Sequence, residues 1–308
     1  MKILVTGSGG FVGKRLVLAL KQRGHEVFGF DKSTGNDILD FEGVKKAAKR
    51  MDAVFHLAAS LNEHDKKLFE TNVDGTKNAL EASAQEQIQQ FIFLSTVGVM
   101  GDVSKIADES TPLNPQTPYE KSKAAAEELV LSYQEVLPVT IVRSALVLGP
   151  NKEWKQIIKT IKKGFPLIGS GKKFWQIVSV DDLVNSLVFL LGNEKAVGET
   201  FIVAEQNPKK LIELVELIKK ELGILQKTKT IPVWIGMLLS YAMLFFAKIT
   251  KKETVLPPEY VARLVRNRQY SIEKIKKAGW MPKTSTEEAV KKTVAEIKRV
   301  SGYSKGHK

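Results

Sequence analysis

Cysteine is absent from the 308-residue chain, which excludes disulfides, thiol nucleophiles and Cys-ligated metal sites. Histidine is scarce, and His25, His56, His64 and His307 lack the spacing of metal ligands. We therefore expect structural or solvated histidines and no metal site. Long apolar segments are also absent from the N-terminal region, where glycines soon interrupt the run that starts KILVT. This pattern predicts a buried strand that enters a turn rather than a signal peptide.

Acidic residues are scarce in the second half of the chain. Residues 1–150 contain 17 Lys and Arg against 19 Asp and Glu, whereas residues 151–308 contain 30 against 15, so the net charge of +13 arises from the second half. A basic half indicates an anionic substrate, an anionic lipid surface or a nucleic acid, and a solvated lysine-rich surface is the alternative. Because no aromatic residues are interleaved with the lysines, we do not expect nucleic-acid binding.

Short β-branched and aromatic runs alternate with amphipathic stretches through the first half. This alternation implies right-handed crossovers and a parallel sheet covered on both faces. We predict an α/β fold, with a doubly wound Rossmann-type sheet in residues 1–150 and a smaller, mainly helical substrate lobe in residues 151–308. Residues 179–204 are candidates for extra elements of the Rossmann core. The predicted strands are 2–6, 26–31, 53–59, 90–95 and 139–144, and the predicted helices are 42–50, 66–86 and 119–136.

A glycine-rich turn, TGSGGFVG, follows the first predicted strand and opens the first helix. Gly7 permits a tight turn, Gly10 lets the backbone approach a pyrophosphate, and Gly13 allows close packing of helix and strand. Asp31 lies 18 residues beyond Gly13, at the end of the second strand, where a carboxylate accepts hydrogen bonds from ribose hydroxyls. The pattern favours NAD as the cofactor, and the neighbouring Lys32 leaves NADP as the alternative.

Tyr119 and Lys123 are four residues apart in PYEKSK, at the start of a predicted helix with Pro118 in its first turn. Residues at this spacing share one helix face. A nearby cation favours the phenolate and would make Tyr119 a usable general acid or base. The same spacing also arises by chance on solvated helix faces, so the pair becomes specific only in combination with other motifs.

The motifs of the chain occur in the order seen in a known family. The chain resembles the extended short-chain dehydrogenase/reductase family, which is the NAD-dependent epimerase/dehydratase superfamily, and within it the 3β-hydroxysteroid dehydrogenase and dihydroflavonol reductase branch. The resemblance extends from Met1 to about Gly149 and continues weakly through residues 179–183. It rests on TGSGGFVG, Asp31, NDI at 36–38, HLAA at 56–59, NVDGTKN at 72–78, LSTVGVMG at 94–101, PYEKSK and RSALVLGP at 143–150.

The resemblance implies roles for individual residues. Tyr119 would be the acid/base, Lys123 would hold the nicotinamide ribose and lower the pKa of Tyr119, and Thr96 would bind the reacting oxygen. Asn72 is expected to tie the central helix to the fourth strand. The other expected cofactor contacts are Phe11, Val12, Asp37, Ile38, Leu57, Ala58, Ala59, Asn72, Ser95, Ser144 and Leu146, and the expected substrate contacts are Val97, Gly98, Lys172 and Trp175.

The substrate side departs from the sugar-nucleotide branch of the family. Trp175 and Gln176 stand where that branch carries an Arg and an Asp, and Ser144 and Leu148 replace the family's usual Pro and Tyr. Three functions stay open. The first is an NAD(P)-dependent oxidoreductase for a secondary alcohol or ketone, sterol-like or flavonol-like. The second is a nucleotide-sugar epimerase or dehydratase that retains its NAD, and the third is a non-catalytic dinucleotide sensor or scaffold.

An uncharged run, IPVWIGMLLSYAMLFFA at 231–247, has lysines on both sides. It is near the lower length limit for crossing a bilayer. Three alternatives stay open: a helix buried in the lobe or in a dimer contact, a helix lying on anionic lipid, and a membrane span. We expect a cytoplasmic homodimer that acts on a small molecule and is able to contact a membrane through this run. The flanking lysines are Lys227, Lys229, Lys248, Lys251 and Lys252.

Overall fold

The computed structural model describes residues 1–250 and 258–300, so that Lys251, Lys252 and His307 lie outside the described residues. The strands are β1 (Lys2–Thr6), β2 (Glu26–Phe30), β3 (Ala53–His56), β4 (Gln90–Thr96), β5 (Val139–Ser144), β6 (Leu146–Leu148), β7 (Leu167–Ile168), β8 (Ile177–Ser179), β9 (Thr200–Val203) and β10 (Thr230–Ile231). Six parallel strands form the central sheet, in the order β2-β1-β3-β4-β5-β9, and two pairs of short strands, β6 with β8 and β7 with β10, lie apart from it.

Helices cover both faces of the central sheet. Their bounds are α1 (Phe11–Gln22), α2 (Phe41–Ala48), α3 (Gly75–Gln85), α4 (Pro118–Ser132), α5 (Lys152–Lys162), α6 (Val180–Leu190), α7 (Leu211–Leu222), α8 (Val233–Thr250), α9 (Pro258–Leu264), α10 (Glu273–Ala278) and α11 (Thr286–Val300). The predicted doubly wound α/β fold is confirmed. The segments β9 and α6 lie within residues 179–204, and β9 pairs with β5 in the central sheet.

Alternate residues of each strand face opposite sides of the sheet. Ile3 and Val5 pack into one apolar cluster with α1 and α6, whereas Leu4 packs into another with α2, α3 and α4. In β4, Ile92 faces the first cluster, and Phe91 and Phe93 face the second. Because both faces are buried, the strands read as nearly continuous apolar runs, as parallel sheets require.

The helix α4 begins where the sequence predicts it. The Thr117 hydroxyl accepts a hydrogen bond from the Glu120 amide, and the Glu120 carboxylate accepts one from the Thr117 amide, which forms a capping box before Pro118. The helix ends at Ser132, earlier than the predicted 136, because the chain turns before Pro138. The start of α4 is therefore fixed locally, which fixes the position of the residues in its first two turns.

A third apolar cluster joins three helices of the second half. Trp154 of α5, Leu214 and Ile218 of α7, and Val290 and Val294 of α11 form one buried cluster. The apolar stripes of these helices recur at a spacing of three to four residues, and each stripe faces the other two helices. The lobe is therefore a packed layer rather than a set of loops.

The helix α8 is not the buried helix that was one of our alternatives for residues 231–247. Gly236 and Ser240 are buried, and a Cβ on Gly236 would lie 2.4 Å from the Ile168 side chain, so the helix packs through a narrow strip. Most of its large apolar side chains are exposed. Within residues 1–250 and 258–300, no helix has the length and apolar character needed to cross a membrane.

Candidate functional site

The glycine turn after β1 is packed too closely for side chains. Gly7 has φ of 69°, and a Cβ at this position would lie 2.7 Å from the Ala58 amide nitrogen. A Cβ on Gly13 would lie 2.1 Å from the Gly7 carbonyl oxygen. The Gly10 amide donates to that same carbonyl at 3.0 Å. The turn thus brings the start of α1, with Phe11 and Val12, against β1. We call this turn, residues 7–13 at the carboxyl edge of the sheet, the glycine cradle.

The Asp31 carboxylate is held at this cradle. It accepts hydrogen bonds from the Gly9 amide at 3.0 Å and the Ser33 amide at 2.8 Å. Partial burial raises the pKa of Asp31, but the hydrogen bonds from Ser33 and Gly9 outweigh this effect and lower the pKa below its ordinary value. Lys32 points into solvent, with its ammonium 4.0 Å from the Asp37 carboxylate. The roles of Gly9 and Ser33 had no signal in the sequence beyond their nearness to the motif.

Asn72 lies in a π-helical segment, Glu70–Asp74, that precedes α3. Its amide donates to the Ser122 hydroxyl of α4 at 2.8 Å and exchanges hydrogen bonds with the backbone of Ser60. The expectation that Asn72 ties the central helix to the fourth strand is wrong, because its side chain reaches α4 and the loop after β3 instead. Single π turns are frequent at functional sites, and this one anchors the helix that carries Tyr119 and Lys123.

A buried hydrogen-bond chain that we did not predict lies beneath the site. The His56 ring is fully buried, with one nitrogen 2.8 Å from the Thr6 hydroxyl and the other 3.0 Å from the Thr76 hydroxyl. Burial and the nearby Lys123 lower the pKa of His56 to about 3, so the ring is neutral at pH 7. This histidine joins β1, β3 and α3, and it is structural.

Tyr119 and Lys123 lie one turn apart on α4, as predicted. Lys123 is buried, with its ammonium 3.9 Å from the centre of the Phe93 ring. Burial lowers the pKa of Lys123 to about 7, although Glu127 acts in the opposite direction. Burial, together with Glu153 and Glu120, raises the pKa of Tyr119 above its ordinary value. Desolvation therefore dominates the pKa of both groups, and the Tyr119 hydroxyl is protonated at pH 7.

Thr96 and its neighbours lie at the carboxyl ends of β4 and β5, where Thr96 pairs with Ser144 and Ser95 pairs with Arg143. The Thr96 hydroxyl accepts a hydrogen bond from the Gly98 amide at 3.1 Å, which starts a turn that contains Val97. A Cβ on Gly98 would lie 3.0 Å from the Glu120 side chain. The Thr96 turn thus packs against the first turn of α4, next to Tyr119.

The remaining predicted cofactor contacts follow the central strands of the sheet. Leu57, Ala58 and Ala59 come directly after β3, and the Ala58 amide donates to the Thr6 hydroxyl at 3.3 Å. Leu146 begins β6, just beyond β5, whereas the buried Ile38 packs with the α2 and α3 layer. Ligands of doubly wound sheets bind at this edge, and the contact roles of all these residues stay predictions.

On the substrate side, Trp175 is buried beneath Arg268, whose guanidinium carbon lies 4.5 Å from the ring centre. The indole nitrogen has no hydrogen-bond partner within the described residues. Gln176 is structural, because its amide bonds to the backbone of Glu205 and Tyr270. Lys172, the other expected substrate contact in this segment, is exposed to solvent.

Two arginine–glutamate pairs join the lobe to α4 and to the loop after β3, and neither was visible in the sequence. Arg266 contacts the Glu120 carboxylate at 2.8 Å, with both side chains largely buried. Arg263 pairs with Glu63, which belongs to the loop after β3. Because Glu120 also completes the capping box of α4, the first of these pairs ties the lobe to the turn that carries Tyr119.

Comparison with known proteins assigns the family. Residues 3–204 match the NAD dependent epimerase/dehydratase family. The chain belongs to this family. A 3-beta-hydroxysteroid dehydrogenase of Mycolicibacterium neoaurum is 28% identical, over 94% of this chain and 89% of that protein. An N-acetyl-alpha-D-glucosaminyl-diphospho-ditrans,octacis-undecaprenol 4-epimerase of Escherichia coli O157:H7 is 25% identical, over 95% and 94%.

Solved structures agree with this assignment. UDP-glucose 4-epimerase of Thermotoga maritima has a TM-score of 0.77 at 26% identity, with 98% of this chain and 99% of that chain covered. The resemblance to the extended short-chain dehydrogenase/reductase family is confirmed, and the protein is an NAD-dependent enzyme of this type. The relatives include steroid dehydrogenases as well as nucleotide-sugar epimerases, so the family fixes oxidoreductase-type chemistry and not one substrate.

The residues of the cradle fit a dinucleotide. Gly7 and Gly13 allow the tight turn that brings the start of α1 to the carboxyl end of β1, because a Cβ at either position would collide with the chain's own backbone. The Ser95 hydroxyl, at the carboxyl end of β4, is buried without a hydrogen-bond partner in the described part of the chain, and buried polar groups are normally paired. The Asp31 carboxylate is held ionised at the end of β2. These three observations agree with NAD, the cofactor in the family's name.

Lys123 makes the stability of the protein depend on pH in a testable way. Its pKa is about 7 in the folded chain and about 10.4 when unfolded, so between these values only the unfolded chain binds the proton. The contribution of Lys123 to the free energy of unfolding therefore rises with pH across this window. We expect the Lys123→Met variant to be more stable than the wild type, most at pH 6 and least at pH 10.

Urea unfolding of both proteins at pH 6, 8 and 10 measures this difference. Lys121→Met is the matched control, because Lys121 lies on the same helix but is exposed. Its difference from the wild type should not vary with pH. A Lys123→Met difference that also stays constant from pH 6 to pH 10 would contradict the depressed pKa of Lys123.

Proposed function

We propose that this protein is an NAD(P)-dependent oxidoreductase that transfers a hydride between a nicotinamide cofactor and a lipophilic secondary alcohol or ketone. One observation carries the proposal. The turn that starts at Thr96, at the carboxyl end of β4, packs on the first turn of α4, which carries Tyr119 with Lys123 one turn further on. The glycine turn follows the carboxyl end of β1 in the same parallel sheet. This arrangement supplies a proton donor and an oxygen-binding group at one place.

The residues of the chain perform the proton chemistry. The nicotinamide supplies or accepts the hydride when it is bound. The Tyr119 hydroxyl donates its proton to the oxygen of a ketone that is being reduced, and the phenolate takes a proton from an alcohol that is being oxidised. The Thr96 hydroxyl binds and aligns the same oxygen. Lys123, when charged, favours the phenolate form of Tyr119. Because the pKa of Lys123 is low, the rate of alcohol oxidation depends on whether this lysine carries a proton.

Asp31 supports NAD as the preferred cofactor. The backbone amide of Gly9 and the Ser33 side chain hold its carboxylate at the cradle. A fixed negative charge there accepts hydrogen bonds from two ribose hydroxyls and repels a 2′-phosphate. The Lys32 ammonium points toward solvent and Asp37, which makes it a weaker ligand for a 2′-phosphate.

The substrate side supports a lipophilic substrate. Two of the arginines near the site, Arg263 and Arg266, already pair with glutamates, and Gln176 is fully engaged with the backbone. These two cations are therefore engaged within the chain, which favours a substrate without a diphosphate. A relative named for a steroid agrees with this class of substrate. The predicted substrate contacts Val97, Gly98, Lys172 and Trp175 belong to this proposal.

A nucleotide-sugar epimerase is the second candidate, and Arg268 favours it. No carboxylate pairs with this arginine in the part of the chain that the structure describes, and it lies over Trp175, whose indole nitrogen is also without a partner. A ring with hydroxyl groups and an anionic substituent would satisfy both side chains. In that case Tyr119 and Thr96 keep their roles, and the hydride returns to the same substrate.

One experiment separates the two candidates. The purified enzyme is incubated with NAD and, in turn, with a hydroxysteroid, a long-chain secondary alcohol and a UDP-hexose, while absorbance at 340 nm and product mass are followed. The proposal predicts net formation of NADH with a lipophilic alcohol. Epimerised sugar without net NADH would overturn it in favour of the second candidate. The homodimer and the cytoplasmic location stay predictions.

A further inference from the structure

The described part of α8 exposes an apolar surface that the proposed function does not use. Trp234 is 68% exposed, Leu238 64%, Phe245 63% and Phe246 63%. The helix contacts the lobe through a strip that contains Gly236 and Ser240. Soluble proteins rarely leave contiguous apolar patches of this kind uncovered, and such patches mark interaction sites.

The exposed side chains cover about half of the helix circumference. At about 100° per residue, Trp234, Leu238, Tyr241 and Phe245 lie along one line, and Leu239 and Phe246 lie about a third of a turn to one side of it. The buried strip lies on the opposite side. A helix that packed on one partner helix would need only a narrow stripe, whereas this broad face fits a flat apolar medium.

Basic residues lie where the same surface begins. Residues 227–252 contain five lysines and no Asp or Glu. Lys227 and Lys229 are exposed where the chain enters α8. The Leu167 amide bonds to the Lys229 carbonyl at 2.8 Å, which brings the segment with the exposed Phe165 next to these lysines. The apolar face thus begins beside a positively charged, aromatic-bearing edge.

We propose that the exposed face of α8 docks the protein on an anionic lipid bilayer surface, with the helix lying in the plane of the membrane. Its Trp and Tyr side chains suit the headgroup level, its aliphatic and Phe side chains suit the acyl boundary, and lysines bind anionic headgroups. A second copy of the chain fits less well, because residues 227–252 carry five lysines and no carboxylate, so self-pairing would bring like charges together with no acidic group to offset them. The docking proposal does not rest on the proposed function, because its readout is vesicle binding.

The full-length protein provides its own reporter. Trp154, Trp175 and Trp280 are buried, so Trp234 is the exposed tryptophan. Transfer of Trp234 from water to the headgroup region should shift its emission to shorter wavelength when vesicles of phosphatidylcholine and phosphatidylglycerol are added. The shift should be absent with pure phosphatidylcholine, absent in Trp234→Phe, and reversed by high salt, which screens the lysines.

Co-sedimentation with the same vesicles measures the affinity. Changing Leu238 and Phe245 together to Ser should lower the partition coefficient by about tenfold or more, since it removes buried apolar area. Changing Lys227 and Lys229 together to Ser should lower it by about tenfold at low salt, and much less at high salt. Leu18→Ser is the matched control, because Leu18 is 60% exposed on α1, and it should bind as the wild type does.

Three results would overturn the proposal. The first is a folded wild type that stays in the supernatant with anionic vesicles at low salt and shows no emission shift. The second is a Leu238/Phe245 variant that keeps the wild-type circular dichroism and binds vesicles equally well. The third is a dimer in sedimentation velocity that this variant dissociates, without vesicle binding by the wild type, which would assign the face to self-association. The emission shift of the wild type tests membrane docking even if the Leu238/Phe245 variant does not fold.

Discussion

Replacing Tyr119 by phenylalanine should lower turnover by about a hundredfold or more and leave the fold and cofactor binding intact. The change removes only the phenolic oxygen, and loss of a general acid or base costs on the order of 10²–10⁴ in rate. The half-buried ring stays in place on the first turn of α4, and the capping box that starts this helix is formed by Thr117 and Glu120. The steady-state rate with the substrate that the screen described above identifies, and calorimetric titration with NADH, measure the two effects.

Tyr133→Phe is the matched control for this prediction. Tyr133 caps the other end of α4, so the same chemical change on the same helix should leave turnover near the wild-type value. Turnover of Tyr119→Phe within a few-fold of the wild type would remove Tyr119 from the mechanism. A parallel loss of NADH affinity would instead show that the change disturbed the site rather than the proton transfer.

Replacing Arg143 by methionine should destabilise the protein by about 3–5 kcal/mol, the usual cost of breaking a buried ion pair. The Arg143 guanidinium donates to the Glu127 carboxylate at 2.8, 3.1 and 3.2 Å, and both side chains are buried. Without Arg143 the Glu127 charge loses its closest partner in a site with little water. Urea unfolding at pH 7 measures the loss.

Two further variants test whether the unpaired charge of Glu127 causes this loss of stability. The double change Arg143→Met and Glu127→Leu should recover much of the lost stability, because no charge is then left unpaired. Lys276→Met breaks a pair with Glu273 at the same 2.8 Å, but that Glu is well exposed, so the loss should be about 1 kcal/mol or less. If Arg143→Met cost no more than Lys276→Met, the pair would contribute nothing beyond a surface contact.

The order of motifs allowed most of the central sheet to be predicted. The predicted 139–144 coincides with β5, and 90–95 falls one residue short of β4. The prediction for 53–59 is too long, because the chain leaves the sheet after His56, where the cradle begins. Apolar runs of four to seven residues separated by helical periodicity carry this information locally, whereas the point where a strand ends depends on what its next residues touch.

The candidate site was predictable wherever one residue type is required by local geometry. Gly7 and Gly13 belong to this class, since a Cβ would collide with backbone at both positions. The pKa of Tyr119 could not be predicted in this way, because it depends on tertiary packing. We expected Lys123 to lower it, but burial raises the pKa of the tyrosine and lowers that of the lysine. Desolvation depends on how many atoms surround a group, and the i, i+4 spacing does not report that number.

By itself, the sequence determined the doubly wound sheet, the glycine cradle and the position of Tyr119 and Lys123 on one helix face, because each follows from the periodicity or the stereochemistry of neighbouring residues. Tertiary structure alone decided that Arg266 pairs with Glu120, 146 residues away, and that Arg143 pairs with Glu127. It also decided that α8 exposes its apolar residues instead of burying them. Which surfaces meet depends on how the whole chain packs. Hydropathy measures the tendency of a side chain to leave water, but it does not identify the surface that buries it.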